Sequence, residues 1–154
     1  MIRKIVSGGQ TGADRAGLDA ALELGIPIGG YVPLGRWAED GPIAYSYTGL
    51  IETGSADPAI RTRLNVQSSD ATAVFTHGRA KGGSALTIKI ARELERPCLP
   101  LDLAIVSLDS AAERLRLWLL NGRFEVLNVA GSRGSIDPEL YGKVRDILLA
   151  ALKC

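Results

Sequence analysis

Apolar and polar positions fall into blocks along the chain, and the blocks alternate between strand-like and helix-like spacing. Residues 3–7 hold Ile5 and Val6 and predict a short buried strand that ends in glycine. Over 12–24, Ala13, Ala16, Ala20, Ala21 and Leu24 form one stripe at helical spacing, with Gly25 placed to end the helix and Pro27 to stop it. Residues 26–32 predict a second strand, weakened by Gly29 and Gly30, and 33–57 have no period and predict a long loop. Asp57-Pro58 supplies an N-cap and a first-turn proline for a helix over 58–68. Residues 71–76 predict a strand centred on Val74 and Phe75. A helix over 84–95 carries Leu86, Ile90 and Leu94 on one face, and 97–101 predict the next strand. Residues 109–121 predict a helix with Leu115, Trp118 and Leu119 inward. A strand over 124–129 and a helix over 138–152, opened by Asp137-Pro138, complete the chain.

Short apolar strands alternating with helices predict an α/β domain, with a mostly parallel sheet covered by helices on both faces. The 154 residues fit one domain, with no repeat and no linker to divide 1–154. In such sheets ligands bind beyond the carboxyl ends of the strands. The junctions from strand to helix therefore hold the candidate chemistry.

Composition sharpens this. Glycine supplies 18 residues, about 12% of the chain, against a usual share of roughly 7%. The excess has no Gly-X-Y period and no single tract, which excludes collagen and flexible tails. The formal net charge is +1, so no global field for nucleic acid or an anionic membrane is expected. Cys98 and Cys154 have no metal-ligand spacing and make no disulfide framework, which fits a reducing cytoplasm. Cys98 sits in an apolar run as a buried thiol, and Cys154 reads as a tail. With His77 as the single histidine, no protein-ligated metal is expected. The first residues do not read as a signal peptide, and no run of roughly 18 apolar residues predicts a membrane span.

Three glycine-bearing junctions stand out. The first, Ser7-Gly8-Gly9-Gln10-Thr11-Gly12-Ala13-Asp14-Arg15, follows a strand and opens a helix. Its glycines let the backbone turn tightly, and the free N–H groups at a helix start favour an anion. Thr11 and Asp14 have the spacing of a capping box. The segment is neither GxGxxG nor a P-loop. The second, His77-Gly78-Arg79-Ala80-Lys81-Gly82-Gly83-Ser84, joins two cations to three glycines at a helix start and suits a phosphate or carboxylate. The third, Val129-Ala130-Gly131-Ser132-Arg133-Gly134-Ser135, is weaker, because Asp137 is placed to fill the next helix cap itself. Within 33–57, Trp37 and Tyr45 lie near Arg36, Glu39 and Asp40 and predict a lid that contacts a flat ring.

The first junction, continued by Leu18-Asp19, resembles the signature of the molybdenum cofactor carrier family, part of the SLOG group of Rossmann-like nucleotide-binding domains. The likeness runs on through Gly35-Arg36-Trp37-Ala38-Glu39-Asp40-Gly41-Pro42, Arg61-Thr62, Asn65-Val66 and Ser69-Asp70-Ala71-Thr72. Gly82-Gly83-Ser84 and Asn128-Val129-Ala130-Gly131 extend it over nearly the whole chain. The resemblance implies a single Rossmann-like three-layer domain and, as ligand, molybdenum cofactor, a phosphorylated pterin that holds its own metal through a dithiolene. Related SLOG enzymes, the phosphoribohydrolases, carry Pro-Gly-Gly-x-Gly-Thr with a glutamate shortly after. Here Lys81-Gly82-Gly83-Ser84 is followed by no glutamate before Glu93, which counts against their glycosidic cleavage.

Two functional classes therefore stand side by side. One is a binding or carrier protein for a phosphorylated flat heterocycle, with a molybdoenzyme as an open recipient. Its anion-binding candidates are Gly8, Gly9, Gln10, Thr11, Gly12, Asp14, Arg15 and Arg36 from the first half of the chain. Arg79, Lys81, Gly82, Gly83, Ser84, Gly131, Ser132 and Arg133 supply the rest. The other class is a nucleotide or nucleotide-sugar sensor, or a hydrolase using Asp14, Glu39 or Asp40. Trp118 and Leu120 leave a homo-oligomer open, although Trp118 also suits the monomer core.

Overall fold

A computed structural model describes residues 1–153, so the reading of Cys154 lies outside the described residues. The elements follow in the order β1 Lys4–Val6, α1 Ala13–Leu24, β2 Ile28–Val32, β3 Trp37–Ala38, β4 Gly41–Pro42 and β5 Leu50–Glu52. Then come α2 Pro58–Ser68, β6 Ala71–Thr76, α3 Gly82–Glu93, β7 Cys98–Asp102, α4 Leu108–Gly122, β8 Val126–Gly131 and α5 Leu140–Leu152.

Six strands form a parallel sheet in the order β5-β2-β1-β8-β6-β7. Every residue of β6 is buried, as a strand covered on both faces requires. Side chains alternate along the strands and sort the two faces. Ala73 and Phe75 of β6, with Leu127 and Val129 of β8, enter the large core built with α1, α4 and α5. That core also takes Leu115, Leu119, Val144 and Leu148. The opposite face is covered by α2 and α3, with a small cluster of Val66, Ile90 and Ala91. The result is three layers, α/β/α.

This second face is polar as well as thinly packed. Thr72, Thr87, Asn65 and Asn128 are all buried. Asn65 holds the Tyr31 backbone in a two-way clasp: its Oδ1 accepts from Tyr31 N (2.7 Å) and its Nδ2 donates to Tyr31 O (2.9 Å). The Asn128 amide donates to Thr72 Oγ1.

Residues 33–57 depart from the expected structureless loop. Trp37–Ala38 and Gly41–Pro42 pair as a hairpin around Glu39-Asp40, and β5 extends the sheet beside β2. β5 is a three-residue edge strand with Ile51 and Glu52 exposed, so it carries no apolar alternation to read. The capping box is also corrected. Gly12 is the N-cap of α1 and no side chain caps it, because the Thr11 hydroxyl donates to Glu39 and accepts from Gly134 N. A Cβ at Gly12 would lie 2.3 Å from the Ser132 carbonyl, and its φ of +81° is strained for other residues. The last helix starts two residues later than expected: Asp137 accepts from Glu139 N in a turn ahead of it. At the second junction, α3 already begins at Gly82. The Trp118 ring meets Phe124 edge-on at 5.1 Å, half-buried, while Leu120 is exposed.

Asn65→Leu removes both partners of Tyr31 and leaves a peptide group unsatisfied in the second layer. Urea unfolding should show a loss of about 2–3 kcal/mol with an unchanged m-value.

Candidate functional site

Because all six strands run the same way, their carboxyl ends share one edge of the sheet. A cavity of about 480 Å³ opens there. It lies against α2 and α3, where the core is thin, and Asn128 and Ala130 of β8 reach it from the face opposite Leu127 and Val129. Its size suits a small organic ligand.

Each junction contributes to the wall in a different way. The first supplies Gly8, Gln10 and Asp14. Most of its polar groups are already engaged. Gly9 N donates to Ser7 Oγ (3.1 Å), Gln10 N to Asp14 Oδ2 (3.3 Å), Thr11 N to Gln10 Oε1 (3.0 Å) and Ala13 N to Ser132 O (3.2 Å). The Asp14 carboxylate thus stands where an external anion would sit. Gly9, Thr11 and Gly12 do not line the cavity. Gly9 faces Ile43 instead, so a larger residue there would collide with the packing under the hairpin.

The second junction supplies His77, Gly78, Arg79, Lys81, Gly82, Gly83 and Ser84, followed by Thr87. Here the helix start is free. No side chain caps α3, and among the described residues the amides of Gly82 and Gly83 meet no protein acceptor. An added Cβ at Gly78, Gly82 or Gly83 would meet no atom within 4 Å, so the backbone is open to a ligand. The third junction adds Gly131, Ser132 and Arg133.

The hairpin is not a lid on this cavity. Glu39 at its tip accepts from the Thr11 hydroxyl, from Ser135 N (2.9 Å) and from Ser135 Oγ (2.6 Å). Its own amide donates to Gln10 Oε1 (2.8 Å). Hydrogen bonds from Ser135 and then Thr11 hold its carboxyl below the usual range. Asp40 pairs with Arg15 at 3.0 Å and its carboxyl is likewise held low by that hydrogen bond. Arg15 also donates to Gly9 O (2.9 Å). Arg36 is buried, donates to the carbonyls of Ile43 and Ala44, and lies 4.6 Å from the Tyr45 ring. Trp37 and Tyr45 are 58% and 83% exposed, and neither lines the cavity. Of the expected site residues, Arg15, Glu39 and Asp40 therefore brace the first and third junctions, Arg36 ties the backbone at Ile43 and Ala44, and Trp37 and Tyr45 face solvent.

Arg61 was missed in the sequence reading as a site residue. It stands on α2, far from any glycine junction in sequence, and its Nη1 donates to Gly8 O (2.8 Å) at the cavity wall. Thr62, Asn65 and Asn128 join it there. Asn65 and Asn128 are buried, while Arg61 and Thr62 are half-buried at the wall. Asp14 is 7% exposed. Burial raises its pKa from 3.8 to about 6, opposed by Arg61, the Gln10 amide and Arg15. Cys98, expected as a buried thiol, is only half-buried, and that partial burial pushes its thiol up to about 11, away from reactivity. Among the described residues no group of three His, Cys, Asp or Glu is placed to hold a metal ion. No helix among them is long and apolar enough to cross a membrane.

The circularly permutated YpsA SLOG family model matches residues 5–152. The chain belongs to that family. Its sheet displays a permuted order: the last strand, β8, sits between β1 and β6, and counting from β8 turns the sheet into 4-3-2-1-5-6. A crystal structure from Syntrophus aciditrophicus SB, described as "Putative molybdenum carrier protein", shares 46% identity with the chain. The likeness covers 98% of this chain and 95% of that one, with a TM-score of 0.96. No curated protein matches. The family assignment and this neighbour agree with the Rossmann-like α/β fold and the carrier resemblance.

Asp14 makes a pH-dependent contribution to stability. Its folded pKa lies above its unfolded value, so its burial penalty is absent below about pH 4, grows through pH 6 and is fully present above it. Asp14→Asn should therefore stabilise the protein by about 1–3 kcal/mol near pH 8. The gain should shrink near pH 4.5, as read by urea unfolding at the two pH values.

Proposed function

We propose that this protein binds and carries a small phosphorylated heterocycle, with molybdenum cofactor as the cargo suggested by the name of the related structure. The observation that supports this most is the free N-terminus of α3, where Gly82 and Gly83, whose amides meet no protein acceptor among the described residues, line a cavity with Arg79, Lys81 and Arg133. Backbone amides, the positive end of the helix and nearby cations together suit a phosphate. Gly8, Gln10 and Asp14 line the wall after β1, and Gly131 and Ser132 line it after β8, the strand between β1 and β6. Pro58, Ala130 and Ile136 provide the apolar surface for a ring. The described residues offer no metal-ligand cluster, and a cargo whose own dithiolene holds its metal does not require one.

A nucleotide hydrolase is the second reading, favoured by one observation: Asp14, a carboxyl with a pKa of about 6, lines the cavity. Acid–base work near neutral pH calls for such a group. Glycoside cleavage usually employs two carboxylates, however, and Glu39 and Asp40 are bound up in the hairpin outside the cavity. A nucleotide sensor would use the same pocket and differ in its ligand.

Equilibrium binding of the purified protein to molybdenum cofactor, GMP and ADP-ribose separates these readings. The carrier reading expects saturable cofactor binding, no product release from the nucleotides, and a loss of affinity of at least about tenfold in Lys81→Glu, in line with a charge-assisted phosphate contact. Tight nucleotide binding with no cofactor binding would contradict it, and release of a free base would favour the hydrolase.

A further inference from the structure

Asp14 is an acceptor without a complete set of donors. Its Oδ2 takes the Gln10 amide at 3.3 Å, while no protein donor among the described residues reaches Oδ1. The side chain is almost wholly buried and lines the cavity. Oδ1 is not sealed inside the protein but left accessible at the cavity wall, where a donor brought by a ligand can pair with it. A bare oxyanion at the same place would meet a like charge in a poorly solvated site.

Charges around the cavity decide where each part of a ligand can go. Arg61 on α2 and Arg15 on α1 act on Asp14 directly, but Arg61 also serves the Gly8 carbonyl and Arg15 is paired with Asp40. His77, Arg79 and Lys81 of the β6–α3 loop, and Arg133 after β8, line the same cavity. Among the described residues, Asp14 is the one acidic residue in the wall.

We propose that Asp14 is a specificity-determining residue. It turns a bare oxyanion away from the β1 end of the cavity and accepts a hydrogen bond there from a hydroxyl or ring N–H on the uncharged part of a phosphorylated ligand. This rests on the placement of phosphate at the α3 end, and it sets the direction in which the ligand lies. Such a site prefers a phosphate ester rich in donors to an oxyanion of equal charge.

Calorimetric titration with sulfate, methyl phosphate and ribose 5-phosphate tests this on the wild-type protein, Asp14→Asn and Lys81→Glu, near pH 8 and near pH 5. Near pH 8 Asp14→Asn should bind sulfate about fivefold tighter than wild type, because a like charge has been removed. Near pH 5, where Asp14 is largely protonated, that difference should fall below about twofold. Comparing variant with wild type at each pH cancels whatever the other cavity-lining groups contribute equally to both proteins. The wild-type preference for ribose 5-phosphate over methyl phosphate near pH 8 should fall at least about threefold in Asp14→Asn, as a charge-assisted hydrogen bond is replaced by a neutral one. A structural role alone would not tighten sulfate while shrinking that preference.

Unchanged sulfate affinity near pH 8, or equal weakening of all three probes, would overturn the role of Asp14. If methyl phosphate still binds and Lys81→Glu weakens it, the phosphate placement survives that result. Absence of saturable binding of every probe to the wild type would overturn the phosphate placement and the role of Asp14 together.

Discussion

The N–H groups at the start of a helix require acceptors, and two helix starts on the same sheet edge meet that requirement differently. At α1 the protein answers from within. Ser132 O takes the Ala13 amide, Asp14 takes the Gln10 amide, and Gln10 takes the Thr11 amide. At α3, Gly82 and Gly83 are left open beside Arg79 and Lys81. Unmet donors at one start and an internal carboxylate at the other give the cavity two unlike ends.

This division depends on the parallel sheet and on the hairpin bonded to it. Parallel strands bring the three junctions to one edge. Glu39 then ties Thr11 to Ser135, and the Arg15–Asp40 pair fixes the other side of the hairpin tip. The segment that looked like a cover for a ring thus works as a brace, keeping the first and third junctions in register. The thin, polar packing under α2 and α3 leaves the space for the cavity.

Much of the fold was legible because burial leaves a pattern. Ala71–Thr76 is buried at every residue and reads as a strand, and the alanine stripe from Ala13 to Ala21 reads as a helix face. β5 was hidden because its exposed edge carries no such pattern. Within the site, glycine and cation spacing pointed to the second junction, where the helix start is free. The same reasoning overvalued the first junction, since the partners of Thr11 and Arg15 lie 28 and 25 residues away. Arg61 escaped for a related reason: its contact with Gly8 spans 53 residues, and a polar residue on a weakly amphipathic helix gives no local sign of it.

The two ends of the cavity can be told apart residue by residue. In a titration of the isotopically labelled protein with methyl phosphate, followed by amide chemical shifts, the unlike-ends account predicts the largest saturable shifts at Gly82, Gly83 and Ser84. Only small changes should reach Gly9, Thr11 and Gly12, whose junction is wired internally. Large shifts at Gly9–Gly12 with Gly82 and Gly83 unmoved would place the anion at α1 and contradict the account.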